Sequence, residues 1–100
     1  MTGFDLLGAN KYWLTRTRVV HCKKDHYDIY IGRPSKWGNP YKIGRDGNRG
    51  ECLEKYREYI LNNEYLIKCL HELRGQVLGC WCKPKACHGD VLIEIMEEVL

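Results

Sequence analysis

The period of apolar positions switches repeatedly along the chain, and each switch marks an element. Thr17 to Lys23 is rich in β-branched residues, which predicts a strand. Lys24-Asp25-His26 is a short polar turn. Tyr27 to Gly32 then alternates, with Ile29 and Ile31 on one face and Tyr30 on the other, the period of a second strand. The two are expected to pair as a hairpin. Over Glu51–Leu61, Leu53, Tyr56 and Ile60 recur at helical spacing, flanked by Cys52 and Tyr59. Asn48, with Glu51 three residues on, reads as a capping box. Asn63 is placed to cap a second helix, Glu64–Leu73, whose stripe is Leu66, Cys69, Leu70 and Leu73, and Gly75 is its stop. Gln76 to Trp81 has the composition of a buried strand, and Lys83-Pro84-Lys85 forms a turn. A last helix starts at Cys87 or His88 and carries Val91, Leu92, Ile95, Met96 and Val99 as its core stripe. The order β-β-α-α-β-α predicts one small α/β domain with a three- or four-stranded sheet and about three helices.

Two stretches fall outside this pattern. Residues 1–16 show no period, and Gly3 and Gly8 interrupt any helix. They read as an extension to a domain spanning 17–100, with Tyr12, Trp13 and Leu14 packing on the body or on a second copy. Met1 to Leu14 has no basic stretch followed by an apolar one, so it does not read as a secretory signal. Arg33 to Asn48 is a long irregular loop punctuated by Pro34, Gly38, Pro40, Gly44 and Gly47. Loops longer than about 12–15 residues without structure of their own are usually functional or disordered. Trp37, Tyr41 and Ile43 supply apolar anchors that argue against disorder.

Composition narrows the class. One hundred residues suffice for one domain with a thin core, so a ligand or a homo-oligomer would add stability. No apolar run approaches the length of a membrane span, and a cytoplasmic placement is expected. The net charge of +3 is small, but it is unevenly spread. Arg33, Lys36, Lys42, Arg45 and Arg49 face a single anion, Asp46, within the loop, whereas the last helix holds Glu94, Glu97 and Glu98. That distribution suits a local anion site better than a broad nucleic-acid face. Six cysteines in a chain without an export signal are expected to remain free thiols. Cys22, Cys52 and Cys69 lie in apolar patterns and read as small buried hydrophobes. Cys80, Cys82 and Cys87 crowd one eight-residue window.

That window opens the segment with the most chemistry, Cys80 to Asp90, a strand, turn and helix start. In open α/β sheets, ligands bind at the carboxyl ends of strands, and helix N-termini offer free N–H groups to anions. Gly89 would let a ligand approach the backbone. A thiol at a helix start, such as Cys87, has a lowered pKa. Asp90 complements the same helix end, and can equally read a ribose hydroxyl or orient His88. Three readings compete: a small-ligand pocket lined by Cys82, His88 and Asp90; a zinc site of Cys80, Cys82, Cys87 and His88; and buried thiols with His88 as a cap. The C-x-C pair and the adjacent Cys-His depart from the usual zinc spacing. The second segment is Gly32 to Tyr41. Arg33 carries a fork suited to phosphate, Trp37 a face for stacking a base, and Asn39 paired hydrogen-bonding groups. The plainer alternative has Trp37 in the core, Arg33 solvated and Asn39 making a turn. A third loop, Arg45 to Arg49, contains an Asp-Gly turn, and Arg49 could meet a phosphate near a helix start.

Several motifs together resemble a known family. Tyr30-Ile31-Gly32-Arg33, Trp37-Gly38-Asn39-Pro40, Gly44 to Arg49, and Leu78-Gly79-Cys80-Trp81-Cys82 followed by Pro84 and Cys87-His88-Gly89-Asp90-Val91-Leu92 are similar to a small bacterial and phage family catalogued as domain of unknown function 4326. The resemblance spans about Arg18 to Val99. The family commonly has threonine at the position of Asn48, and both residues can cap a helix. A phage setting implies, by association, a protein that sequesters a host nucleotide signal in an anti-defence role.

The leading expectation is a binding module for a nucleotide-like or ADP-ribose-like anion. Arg33 and Arg49 would contact phosphate, Trp37 would stack, Asn39 and Asp90 would read polar edges, and Cys82, His88 and Gly89 would form a wall. No cofactor is expected, and no resident metal in this reading. The rivals are a thiol-dependent hydrolase or transferase, with Cys87 (or Cys82) as nucleophile and His88 as partner, and a zinc-stabilised interaction domain. A nucleic-acid partner would need more positive charge.

Overall fold

The computed structural model describes residues 12–100; the extension expected at 1–16 lies mostly outside them. Tyr12–Thr15 forms a short 3-10 turn, and Trp13 packs on the core from there. Three strands follow in sequence: β1 (Arg18–His21), β2 (Ile29–Tyr30) and β3 (Val77–Cys80). The helices are α1 (Arg49–Leu61), α2 (Glu64–Cys69) and α3 (His88–Val99), with a 3-10 turn at Leu70–Leu73 extending α2. The chain is thus an α/β domain with a three-stranded sheet.

The expected hairpin does not form. The strand order is β1-β3-β2, and both outer strands run parallel to β3. The Lys24-Asp25-His26 turn lacks the Asn-Gly or Gly-bearing pair of a tight hairpin. The intervening chain instead passes back along β3. Cys22 N–H donates to Cys80 O at 2.8 Å, and Asp28 N–H donates to Val77 O at 2.7 Å. The connection therefore returns from the end of β3 to its beginning. Tyr27 lies over β3 on the way, where a Cβ on Gly79 would sit 2.6 Å from the Tyr27 ring. Glycine at 79 is what permits this close crossing.

The helices follow their caps. Asn48 Oδ1 accepts from Glu51 N–H and Glu51 Oε1 accepts from Asn48 N–H, each at 2.8 Å. Asn63 Oδ1 accepts from Leu66 N–H at 3.1 Å. Gly75, at φ +73°, ends the segment after α2 in the left-handed conformation that favours glycine. Tyr56 and Ile60 of α1, Leu66, Leu70 and Leu73, and Val91, Leu92, Ile95 and Met96 of α3 fill one core with Ile31 and Leu78. Two apolar residues expected inside are outside: Val99 is 45% exposed in the last turn of α3, and Ile43 is 55% exposed in the loop after β2. Among the described residues, no helix is long and apolar enough to cross a membrane.

Candidate functional site

The carboxyl ends of β2 and β3 open on a cavity of about 520 Å³. The β2 side supplies Tyr30, Gly32, Arg33 and Asn39; the start of α1 supplies Arg49, Cys52 and Leu53; the β3–α3 connection supplies Trp81, Cys82, Ala86 and His88. Tyr41, Lys42 and Ile43 complete the rim. The position is the one expected for ligands in parallel α/β sheets.

The two main walls are tied together through one hydroxyl. Trp81 Nε1–H donates to Tyr30 Oη at 2.9 Å, and Tyr30 O–H donates to Arg33 O at 3.0 Å. The Tyr30 ring lies where a side chain on residue 32 would go, so Gly32 makes room for it. Arg49 Nη1 donates to Ala86 O at 3.0 Å and pins the β3–α3 connection to α1. Asn39 Oδ1 accepts from Tyr41 N–H at 2.9 Å and closes a local turn.

The expected site residues divide. Arg33, Asn39, Arg49, Cys82 and His88 come together around the cavity. Trp37, Gly89 and Asp90 do not line it. Trp37 is 1% exposed, and Tyr56 O–H donates to its backbone carbonyl at 2.6 Å. The stacking face expected of it is spent on the core. Gly89 is buried, and a Cβ there would meet Ile31 Cδ1 and Val19 Cγ2 at 2.8 Å. Its glycine serves packing between α3 and the sheet. Asp90 accepts from Cys87 N–H at 3.1 Å and pairs with Lys83 Nζ at 2.8 Å. With Gly89 N–H donating to Cys87 Sγ at 3.3 Å, the start of α3 is already occupied by its own side chains. The anion expected at this helix end has no free N–H of residue 87 or 89 to meet.

Tyr30 and Trp81 line the site without having been singled out from the sequence. A usable signal existed for Tyr30, which alternates away from the core residues Ile29 and Ile31. Trp81 follows the buried Cys80 on the opposite side of the strand end. It is 55% exposed, packs edge-on to His21 and has Lys23 Nζ 5.5 Å from its ring centre. The exposed part of this side chain lines the cavity.

Behind this surface sits a thiol cluster. The sulfurs of Cys80, Cys82 and Cys87 all lie within 4.8 Å of one another, and Cys80 Sγ and Cys87 Sγ are 2.7 Å apart. All six cysteines are free. The thiol hydrogen of Cys80, with further support from Cys87 and His88, holds the Cys82 thiol far below its ordinary range. Hydrogen bonding to Cys80 and Cys82, together with burial, pushes the Cys87 thiol up. The low thiol that a helix start suggests for Cys87 therefore belongs to Cys82. His88 Nε2 lies 2.7 Å from Ile31 O. A carbonyl oxygen only accepts, so Nε2 carries the hydrogen and, in the neutral ring, Nδ1 is the acceptor. Nδ1 faces Cys87 Sγ at 3.6 Å, and Tyr56 meets the ring edge-on at 5.1 Å.

No solved structure matches this chain. Two viral relatives do. An "Uncharacterized 12.4 kDa protein in nrdA-td intergenic region" of Enterobacteria phage T4 is 38% identical, with 82% of this chain and 79% of the relative covered. An "Uncharacterized protein R718" of Acanthamoeba polyphaga mimivirus is 35% identical, with 78% of this chain and 75% of the relative covered. The model of one family, described as Domain of unknown function (DUF4326), matches residues 15–98, and the chain belongs to that family.

Proposed function

We propose that the chain binds a small nucleotide-like anion in the cavity at the carboxyl ends of β2 and β3. The observation that carries this reading is the convergence there of Arg33, Arg49 and Lys42 with the exposed ring of Trp81. Cations for phosphate and an aromatic face for a base are the two recognition elements a nucleotide requires. The volume of about 520 Å³ lies within the range of small-ligand sites. Arg33 makes no side-chain hydrogen bond or ion pair within the described residues, so its guanidinium is available. In this reading Trp81 takes the stacking role, Arg33 and Arg49 contact phosphate, and the Tyr30 hydroxyl keeps the two walls in register. An ADP-ribose-like ligand fits the same requirements. A phage protein sequestering a host nucleotide signal is one setting for such binding.

A thermal-shift panel of mono- and dinucleotides tests it. A ligand at about 100 times its Kd adds about 2.7 kcal/mol, which raises Tm by roughly 10–20 °C in a domain of this size. The expected result is such a shift for wild type, lost in Arg33→Ala and in Trp81→Ala. No shift with any nucleotide would sink the reading.

A further inference from the structure

We propose that Cys80, Cys82 and Cys87 form a three-thiolate site for one soft divalent ion, zinc in the first instance, whose fourth position opens on the cavity. This goes beyond the nucleotide reading and does not rest on it.

The local structure explains how the three sulfurs meet. Cys80 ends β3, and Cys82 follows two residues later, so both can point to one side of the extended chain. The connection then turns back, and Cys87 arrives over them as the N-cap of α3, with extended backbone at φ −136° and ψ 151°. Helix N-caps are usually serine, threonine, aspartate or asparagine. A cysteine here places a sulfur where a capping oxygen would be. The sequence spacing looks wrong for zinc because it is read along the chain. The fold brings the ends of the segment together.

The ligand set fits the ion. Zinc takes cysteine thiolates at about 2.3 Å, so sulfurs on one tetrahedral ion stand roughly 3.8 Å apart. The three sulfurs lie within 4.8 Å of one another, and the closest pair, at 2.7 Å, needs to open by about 1 Å, a small side-chain rotation. A donor that supports a bound thiolate is already present: Gly89 N–H donates to Cys87 Sγ at 3.3 Å. Such outer contacts orient metal ligands and tune the ion. Three thiolates and a divalent ion carry one net negative charge, and the positive end of α3 offsets it.

The site is asymmetric. Cys80 and Cys87 are 0% exposed, whereas Cys82 lines the cavity. An ion held by all three is therefore reached from the cavity and not from the core. Three protein ligands with one open position is the pattern of zinc sites that bind a further ligand, while structural sites close with four. Oxygen donors of a cavity ligand, phosphate or carbonyl, are the class such a position would take.

Elemental analysis of the full chain, purified without chelator, tests the site. About one zinc per chain is expected in wild type and in Cys52→Ser and Cys69→Ser, falling below about a tenth in Cys82→Ser. Because Cys82→Ser could fail to fold, cobalt(II) titration of wild type gives a second readout: an intense thiolate-to-cobalt band at one equivalent, with d–d bands that shift when imidazole enters the open position. A protein that binds neither ion, or that retains zinc in a folded Cys82→Ser, overturns the proposal. So does metal-free protein that takes up no zinc once any Cys80–Cys87 disulfide has been reduced to thiols. Cobalt bands unmoved by imidazole overturn the open position. Stoichiometric zinc without any nucleotide shift keeps this site and removes the nucleotide reading; a nucleotide shift in protein that takes up no metal does the reverse.

Discussion

The loops that leave β2 and β3 both begin at a strand's carboxyl end and both border the cavity, yet they are built inside out relative to each other. The loop after β2 buries its tryptophan, Trp37 at 1% exposed, and keeps Arg33 exposed. The connection after β3 exposes its tryptophan, Trp81 at 55%, and buries Cys87 and His88. The difference lies in what waits for each side chain. Trp37 enters a space beside Tyr56 of α1, whose hydroxyl also holds the Trp37 carbonyl. Trp81 meets the ring of His21, the Tyr30 hydroxyl and Lys23 Nζ, and stays half exposed. The same residue type is a core anchor in one loop and a cavity surface in the other, and tertiary neighbours decide which.

The largest effect should therefore separate the two tryptophans. Trp37→Ala empties a fully enclosed site and should cost about 3–5 kcal/mol. That is a large share of the roughly 5–15 kcal/mol by which domains are stable. Trp81→Ala removes an exposed ring and one exposed hydrogen bond, and should cost about 0.5 kcal/mol. Urea unfolding of both variants measures the gap. Equal losses would break the comparison, because Trp81 would then be a core residue too.

A middle-sized effect compares the two helix starts that face the cavity. The start of α3 is sealed, with Gly89 packed on Ile31 and Val19. Gly89→Ala forces a methyl to 2.8 Å from both and should cost about 1–3 kcal/mol. The start of α1 carries its own capping box, but its glycine is not packed. A Cβ on Gly50 meets only Asn48 Oδ1, at 3.5 Å, so Gly50→Ala should gain about 0.5 kcal/mol from reduced backbone entropy. Thermal melts of the pair should move in opposite directions. A neutral Gly89→Ala would mean that α3 sits less tightly on the sheet than these distances indicate.

Much of this was legible along the chain. Helices with a clear stripe and a local cap appear where expected, because the Asn48–Glu51 box and Asn63 are self-contained signals. Strand pairing was not legible. Period-two alternation shows that Tyr27 to Gly32 is extended but says nothing of its partner, and β3 lies some fifty residues further on. The site divides in the same way. Arg33, Asn39, Arg49, Cys82 and His88 sit near strand ends and helix starts, positions that parallel sheets turn into cavities. Trp37 and Gly89 were legible as unusual but not as inward-facing, since burial depends on Tyr56 in one case and on Val19 and Ile31 in the other. The thiol cluster was hidden by adjacency. Cys87 and His88 look poorly arranged in one dimension, and only the fold shows that the partners of Cys87 are Cys80 and Cys82.

Small effects come from the two arginines, one on each side of the comparison. Arg49 reaches across to the β3–α3 connection, and its guanidinium holds Ala86 O at 3.0 Å. Arg49→Ala should cost about 1 kcal/mol, the usual net worth of such a bond at an exposed position. Arg33 has no comparable tie among the described residues, so Arg33→Ala should change stability by less than about 0.5 kcal/mol. Yet both lie on the cavity, and both should lose the nucleotide-dependent rise in Tm. The informative variant is therefore Arg33→Ala, because stability and binding part company there. If it melted well below wild type, Arg33 would be bracing its loop, and the β2 side would lose its claim to a cation held in reserve for a ligand. If it melted like wild type and lost the nucleotide shift, the loop after β2 would be the recognition wall, and the connection after β3, tied down by Arg49, the fixed wall against which the ligand is held.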